Sequence, residues 1–271
     1  MNLNDIVKKS IFSSIGTLLK DEDIHSFIRY VNYNKGFIEK FPYIIYSFNG
    51  DKSLVDRAEM EVKSIFPNSV IEFIFSENLG HTFGIFLSEN LIFKRTNELK
   101  DFAYVWKFSN DTIATEEIFN ATIESSDFYY ISNIGYAAFD EFGGIEGVIK
   151  SIKDKTLFYP QTNYYIIKNG IDFYPKIDTI YYLHRIYKEK NDTSLKPWDV
   201  IKGCACEEFL RETIQKNNLS SYMLLNDNEL MNIASLVDKY KMWDGSHKNV
   251  SYRRLGSLCH FQWPNMSVMS I

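Results

Sequence analysis

"DFAYVWKFSNDTI" (residues 101–113) runs apolar and aromatic for most of its length and then turns polar at Ser109, Asn110 and Asp111. A short apolar run bounded by turn-prone residues predicts a buried strand over 102–108, ending in a polar turn. Whether Asp111 simply caps that turn or holds something depends on what surrounds it. Upstream, "YIIYSFNGD" (43–51) and "VIEFIFSEN" (70–78) have the same form, an apolar strand that ends polar. Between the three lie "SLVDRAEMEVKSIF" (53–66), an amphipathic helix, and "NLGHTFGIFLSENLIFKRT" (78–96), a helix preceded by glycines. Strand–helix–strand–helix–strand over about seventy residues predicts a parallel, doubly wound sheet.

Such sheets bind ligands beyond the carboxyl ends of their strands. The three predicted ends carry Ser47, Asn49 and Asp51, then Asn78 and Gly80, then Ser109, Asn110 and Asp111. Their convergence on one rim argues for a binding site more strongly than any one of them does. Residues 3–40, with Ile6, Ile11, Ile15, Leu18 and Leu19 near helical spacing, predict two helices.

The second half is mixed. "DFYYISNIGYAAF" (127–139) and "TNYYIIKNG" (162–170) predict strands, in an antiparallel arrangement. "IDTIYYLHRIYKEK" (177–190), "CEEFLRETIQKN" (206–217) and "ELMNIASLVDKYKMW" (229–243) predict helices. No linker or repeat divides the 271 residues. The expected organisation is therefore one domain over 1–271, with N-terminal helices in 1–40, a nucleotide-binding half in 41–113, and an acceptor half with a C-terminal closing segment in 114–271.

Composition bounds the rest. A formal charge of −5 argues against a broad grip on nucleic-acid phosphates, although a local basic groove remains compatible with it. No apolar run approaches the roughly 20 residues of a membrane span, and the charged N-terminal stretch is unlike a signal peptide, so a cytoplasmic location is expected. Three cysteines at 204, 206 and 259 make neither a disulfide framework nor a closed zinc site.

The order "YSFNGD", "ENLGHTFG", "YVWKFSND" resembles the GT-A fold of nucleotide-sugar-dependent glycosyltransferases over residues 41–113. The match is to a single-acid variant of their Asp-x-Asp motif, because Ser109 stands where the first acid usually does. The resemblance implies an α/β, Rossmann-type, mostly parallel sheet flanked by helices. It also implies a nucleotide-diphosphate sugar as donor and Mn²⁺ or Mg²⁺ as cofactor. Asp111 would hold the metal with His260, and Ser47, Asn49, Asp51, Asn78, Gly80 and Asn110 would line the donor site. One carboxylate suffices for such a cation, which keeps several waters and needs only one or two protein acids.

Two further stretches take roles from the same resemblance. "WDVIKGCACEEFLRETI" (198–214) looks like the family's Gly-then-acidic helix start, with Glu207 or Glu208 as general base; the alternative is that both acids favour the positive end of a helix. "MWDGSHKNVSYRRLGSLCHFQWPN" (242–265) resembles the C-terminal segment that closes over the diphosphate. Lys248 and Arg253 would neutralise phosphate, and His247 would belong to the closing loop. "FDEFGGIEG" (139–147) and "YPQTNYYII" (159–167) fall where acceptors usually bind. The implied activity is sugar transfer, hexosyl or pentosyl, onto a surface glycan or a hydroxylated base in phage DNA. The composition, rich in Asn, Lys, Ile and Tyr, suits an AT-rich phage or bacterial genome. A nucleotidyltransferase and a non-catalytic binding or immunity-type α/β protein are the rival readings.

Overall fold

The centre of the sheet is a strand that the sequence reading assigns to a helix. In a computed structural model of the chain, Ser10–Leu18 form strand β1, between the short helix α1 (Leu3–Val7) and helices α2 (Asp21–Tyr33) and α3 (Lys35–Ile38). Residues 2–110, 112–114, 116–120, 122–132, 142–154, 156, 160–190, 205–224, 253–255 and 258–260 are described. The two-helix expectation for 3–40 is therefore corrected. Ile11 and Ile15 are four apart, a spacing that puts residues on one face of a helix but also on one face of a strand. In the structure they share one face of β1, and Phe12 and Leu18 lie in the core of the other. Covered on both sides, β1 has no solvent-facing polar row to show its period. Its serines are buried too: Ser13 Oγ donates to Trp106 O at 3.0 Å and Ser10 Oγ to Ile6 O at 2.6 Å.

The remaining main-sheet strands are β2 (Tyr43–Gly50), β3 (Ile71–Ser76), β4 (Tyr104–Ser109), β6 (Phe128–Ser132), β7 (Pro160–Lys168) and β8 (Ser221–Met223). Together they form a seven-stranded sheet of order β3-β2-β1-β4-β7-β6-β8. β1 pairs in parallel with both β2 and β4, β2 with β3, and β6 with β8. β7 alone runs antiparallel to its neighbours β4 and β6. The expected class, a mostly parallel sheet flanked by helices with a mixed second half, is the class observed. The chain moves from β1 outward to β2 and β3, then returns past β1 to add β4. That reversal makes the gap between β1 and β4 the topological switch point.

The two faces of the sheet differ in chemistry. On one side, under α2, α3 and α4 (Lys52–Ile65), aromatic rings interlock: Phe12 lies 5.4–6.2 Å, centroid to centroid, from Phe37, Phe41, Tyr46 and Phe108. Such contacts bury large apolar area with preferred edge and tilted geometries. On the other side, α5 (His81–Thr96) covers β1, β2 and β3, and α8 (Ala205–Lys216) covers β7. Here the core mixes aliphatic and aromatic side chains at the bottom and turns polar toward the strands' carboxyl ends. Helices α6 (Ile145–Lys153) and α7 (Ile177–Lys190) complete the described α-helices, and Glu116–Asn120 form a short 3-10 helix. A second sheet of order β5-β10-β9 joins Thr112–Ala114 (β5), Leu258–His260 (β10) and Arg253–Leu255 (β9). Among the described residues no helix is long and apolar enough to cross a membrane.

Candidate active site

At the carboxyl ends of β1–β4 the register defines two successive rows on the α5 side. Ile15 pairs with Ser47 and with Ser109; one pleat further, Thr17 pairs with Asn49, and Asn49 with Ser76. Ser47 and Asn49 are fully buried, and among the described residues neither Ser47 Oγ nor Asn49 Oδ1 has a hydrogen-bond partner. Asn49 Nδ2 donates to Gly16 O at 3.3 Å. Two glycines make room at this end of the strands. A Cβ on Gly84 of α5 would stand 2.6 Å from Asn49 Cγ, and one on Gly16 would stand 2.4 Å from Phe48 Cε1 and 3.1 Å from Asn110 Nδ2. Asn110 therefore sits at the mouth of the switch point, beside the end of β1.

Other donor-site candidates hold local backbone. Asp51 is the N-cap of α4: its carboxylate accepts from Ser53 N at 2.8 Å and Ser53 Oγ at 2.7 Å, and these bonds hold its pKa below the ordinary value. Asn78 Oδ1 accepts from Gly80 N at 2.9 Å in a turn that opens α5, with Gly80 at φ +80°. That conformation favours glycine. Both side chains shape the loops of the rim.

Asp111, Lys248 and His247 lie outside the described residues, as does the helix expected over 229–243. The backbone on either side of Asp111 is described: β4 ends at Ser109 and β5 begins at Thr112. In the second sheet, His260 is the register partner of Thr112 on one side and of Arg253 on the other. The structure thus lines up 112, 260 and 253 in one row, directly after Asp111, although about 140 residues separate the ends of that row in sequence. Facing residues on adjacent antiparallel strands have Cα atoms about 4.5–5.5 Å apart. Glu207 and Glu208 lie in the first turn of α8. This helix leads down into β8, which runs parallel to β6, so its N-terminus is at the same end of the sheet as the rim.

Below the rim, on the α5 side, is a charged cluster absent from the sequence reading. Lys107 of β4 is 3% exposed, and its Nζ donates to Ser109 Oγ at 3.3 Å and lies 5.9 Å from the Tyr165 ring centroid. Lys107 and Tyr165 are register partners across β4 and β7. Glu89 of α5, also 3% exposed, accepts a short hydrogen bond from the Tyr165 hydroxyl. Burial raises the Glu89 pKa, and the charge of Lys107 and the Tyr165 hydroxyl oppose that rise. Aromatic pairs bracket the cluster between α5 and its neighbours: Phe86 with Phe209 at 5.0 Å and Phe93 with Phe173 at 4.4 Å. A lysine inside the apolar run "YVWKFS" was the available sequence signal, since lysine is almost never fully buried without a partner.

No family model and no curated protein matches the chain. Solved structures with partial likeness include core-mannan synthase A (CmsA/Ktr4) from Aspergillus fumigatus in its Mn/GDP form, at 10% identity and TM-score 0.34. The match covers 66% of this chain and 64% of that one. The mannosyltransferase Ktr4p from S. cerevisiae matches at 14% identity and TM-score 0.30, over 68% of this chain and 61% of that one. The chain therefore spans less than two thirds of either protein, and likeness at this level bears on neither activity nor ligand.

Proposed function

We propose that the chain is a GT-A-type glycosyltransferase that binds a nucleotide-diphosphate sugar at the carboxyl rim of its parallel strands and transfers the sugar to a hydroxyl acceptor. The observation that carries this reading is the register of the second sheet, which brings 260 and 253 into line with 112, beside Asp111 and the switch point. A carboxylate and an imidazole there suit Mn²⁺ or Mg²⁺, with phosphate oxygens and water completing the shell. When bound, the cation would stabilise charge developing on the diphosphate leaving group.

In this reading the chain's own groups divide the remaining work. Arg253 and Lys248 would neutralise charge on the diphosphate. Ser47 and Asn49 line the α5 side of the rim, Asn110 lies past the end of β4 beside Gly16 on the other face, and Asp51, Asn78 and Gly80 hold the loops around them. Glu207 or Glu208 takes the proton from the acceptor hydroxyl, which must lose it as it attacks the anomeric carbon. Acceptors of this chemistry are a growing surface glycan or a hydroxylated nucleobase.

The test is a melting experiment with uridine, cytidine and guanosine diphosphates in the presence of Mn²⁺. A ligand at about 100 times its Kd adds about 2.7 kcal/mol of stability. For a chain of this size that is a rise of about 5 °C. Asp111→Ala should abolish the shift. No shift with any diphosphate in the unsubstituted protein would refute the transferase reading. A shift without release of nucleoside diphosphate from any nucleotide sugar would favour a non-catalytic binding protein.

A further inference from the structure

Thr112, the first residue of β5, is 2% exposed, and among the described residues its Oγ1 has no hydrogen-bond partner. The strand around it is firmly held. Asn34 at the end of α2, itself buried, donates through Nδ2 to Thr112 O at 3.0 Å, and its Oδ1 accepts from Ala114 N at 2.8 Å. Thr112 and Ala114 are two apart in β5 and share its buried face. Directly opposite residues of an antiparallel pair lie on one face. The register therefore assigns positions 260 and 253 to that face beside 112, and positions 258 and 255 beside 114. The face is apolar along Ala114, Leu258 and Leu255 and polar along Thr112, His260 and Arg253, and its polar end is the one next to Asp111.

A buried hydroxyl without a partner costs free energy, and a valine of the same shape would avoid that cost. Threonine in this place calls for a partner that is engaged only when the site is loaded. A histidine that gives one ring nitrogen to a cation carries an N–H on the other, and that N–H needs an acceptor to fix the ring's orientation. Position 260 is directly across the ladder from Thr112, and facing residues of such a pair have Cβ atoms about 4.5–5.5 Å apart, which suits that bond. We propose that Thr112 is the positioning residue for His260: its hydroxyl oxygen accepts the imidazole N–H opposite the metal-binding nitrogen and so orients the ring toward the cation. The inference rests on the reading of His260 as a metal ligand at the rim, and it adds a residue to that site without adding a ligand.

Calorimetric titration of Mn²⁺ into protein saturated with a nucleoside diphosphate, together with melting of the metal-free protein, tests it. Loss of the hydrogen-bond partner of a metal-bound histidine weakens metal affinity by about 10–100-fold, so Thr112→Val should lose at least about tenfold while Thr112→Ser keeps the unsubstituted affinity. Metal-free Thr112→Val should melt at or above the unsubstituted protein, because a methyl replaces a hydroxyl that has nothing to bond. In a His260→Ala background Thr112→Val should cause no further loss of Mn²⁺ affinity, since Thr112 acts only through that ring. Unchanged Mn²⁺ affinity in Thr112→Val overturns the proposal, as does a loss that Thr112→Ser shares equally or one that persists without His260. A metal-free Thr112→Val protein that melts lower, or fails to fold, also overturns it, because the hydroxyl would then be bonded within the chain itself. If the unsubstituted protein takes up no Mn²⁺ with uridine, cytidine or guanosine diphosphate, the rim reading and this inference fall together; failure of the Thr112→Val result alone leaves the rim reading standing.

Discussion

Phe12 and Leu19 separate the strand from the helix it resembles. On the helical spacing of Ile11, Ile15, Leu18 and Leu19, Leu19 belongs to the apolar stripe and Phe12 lies beside it. In the structure Phe12 is fully buried at the centre of the sheet and Leu19 is 56% exposed, just past the end of β1. Phe12 meets four aromatic rings. Truncating a phenylalanine in such a setting costs about 3–5 kcal/mol, the lost transfer energy plus an incompletely collapsed cavity. An exposed leucine changed to alanine stays within about 0.5 kcal/mol of neutral. Unfolding entropy scales with length, so Phe12→Ala should lower the melting temperature by about 6–10 °C and Leu19→Ala by about 1 °C or less. Urea melts of the two single variants, with the far-ultraviolet dichroism of each folded form, measure this directly. Equal losses, or a larger loss for Leu19→Ala, would refute the placement of β1, and with it the switch point between β1 and β4.

Two further perturbations probe the polar side of the sheet. Gly84→Ala should destabilise by about 1–2 kcal/mol in denaturant melts even though alanine is the better helix former, because the new methyl meets the buried Asn49 side chain at 2.6 Å. In an Asn49→Ala background the same change should become stabilising. Glu89 predicts a pH dependence. Its folded-state pKa is raised above the ordinary 4.5, chiefly by burial, so the folded state holds that proton more tightly than the unfolded one. Its contribution to stability is therefore full below about 4.5 and is lost as pH rises through the raised value. Glu89→Gln should remove this part of the slope, giving a flatter plot of melting temperature against pH above 4.5; an unchanged slope would refute the assignment.

What the sequence revealed follows from where each element's information resides. β2, β3 and β4 were legible as short apolar runs closed by polar residues. α4, α5, α7 and α8 were legible from their length, with start signals close to the observed ends. β1 was hidden because its buried residues recur at a spacing of four and its polar positions, three serines and a threonine, are small and packed inside the fold, Ser10 and Ser13 bonded to backbone carbonyls. The second sheet was hidden for a different reason: its strands are three residues long, and its pairing of Thr112 with His260 is set by the tertiary fold. The rim could be drawn from β2, β3 and β4, but β1, which carries Gly16 and lies at the switch point, was missing from it. Of the Lys107 cluster only a lysine inside an apolar run was legible, because Glu89, Lys107 and Tyr165 come from α5, β4 and β7 and only the packed structure brings them together.

The row of 112, 260 and 253 beside Asp111 makes its strongest demand on residues far apart in sequence. Mn²⁺ affinity, titrated in the presence of a saturating nucleoside diphosphate, should fall at least about tenfold in both Asp111→Ala and His260→Ala, and the double variant should bind little worse than either, as two ligands of one ion require. Unchanged Mn²⁺ affinity in His260→Ala, or losses that simply add, would contradict a shared site.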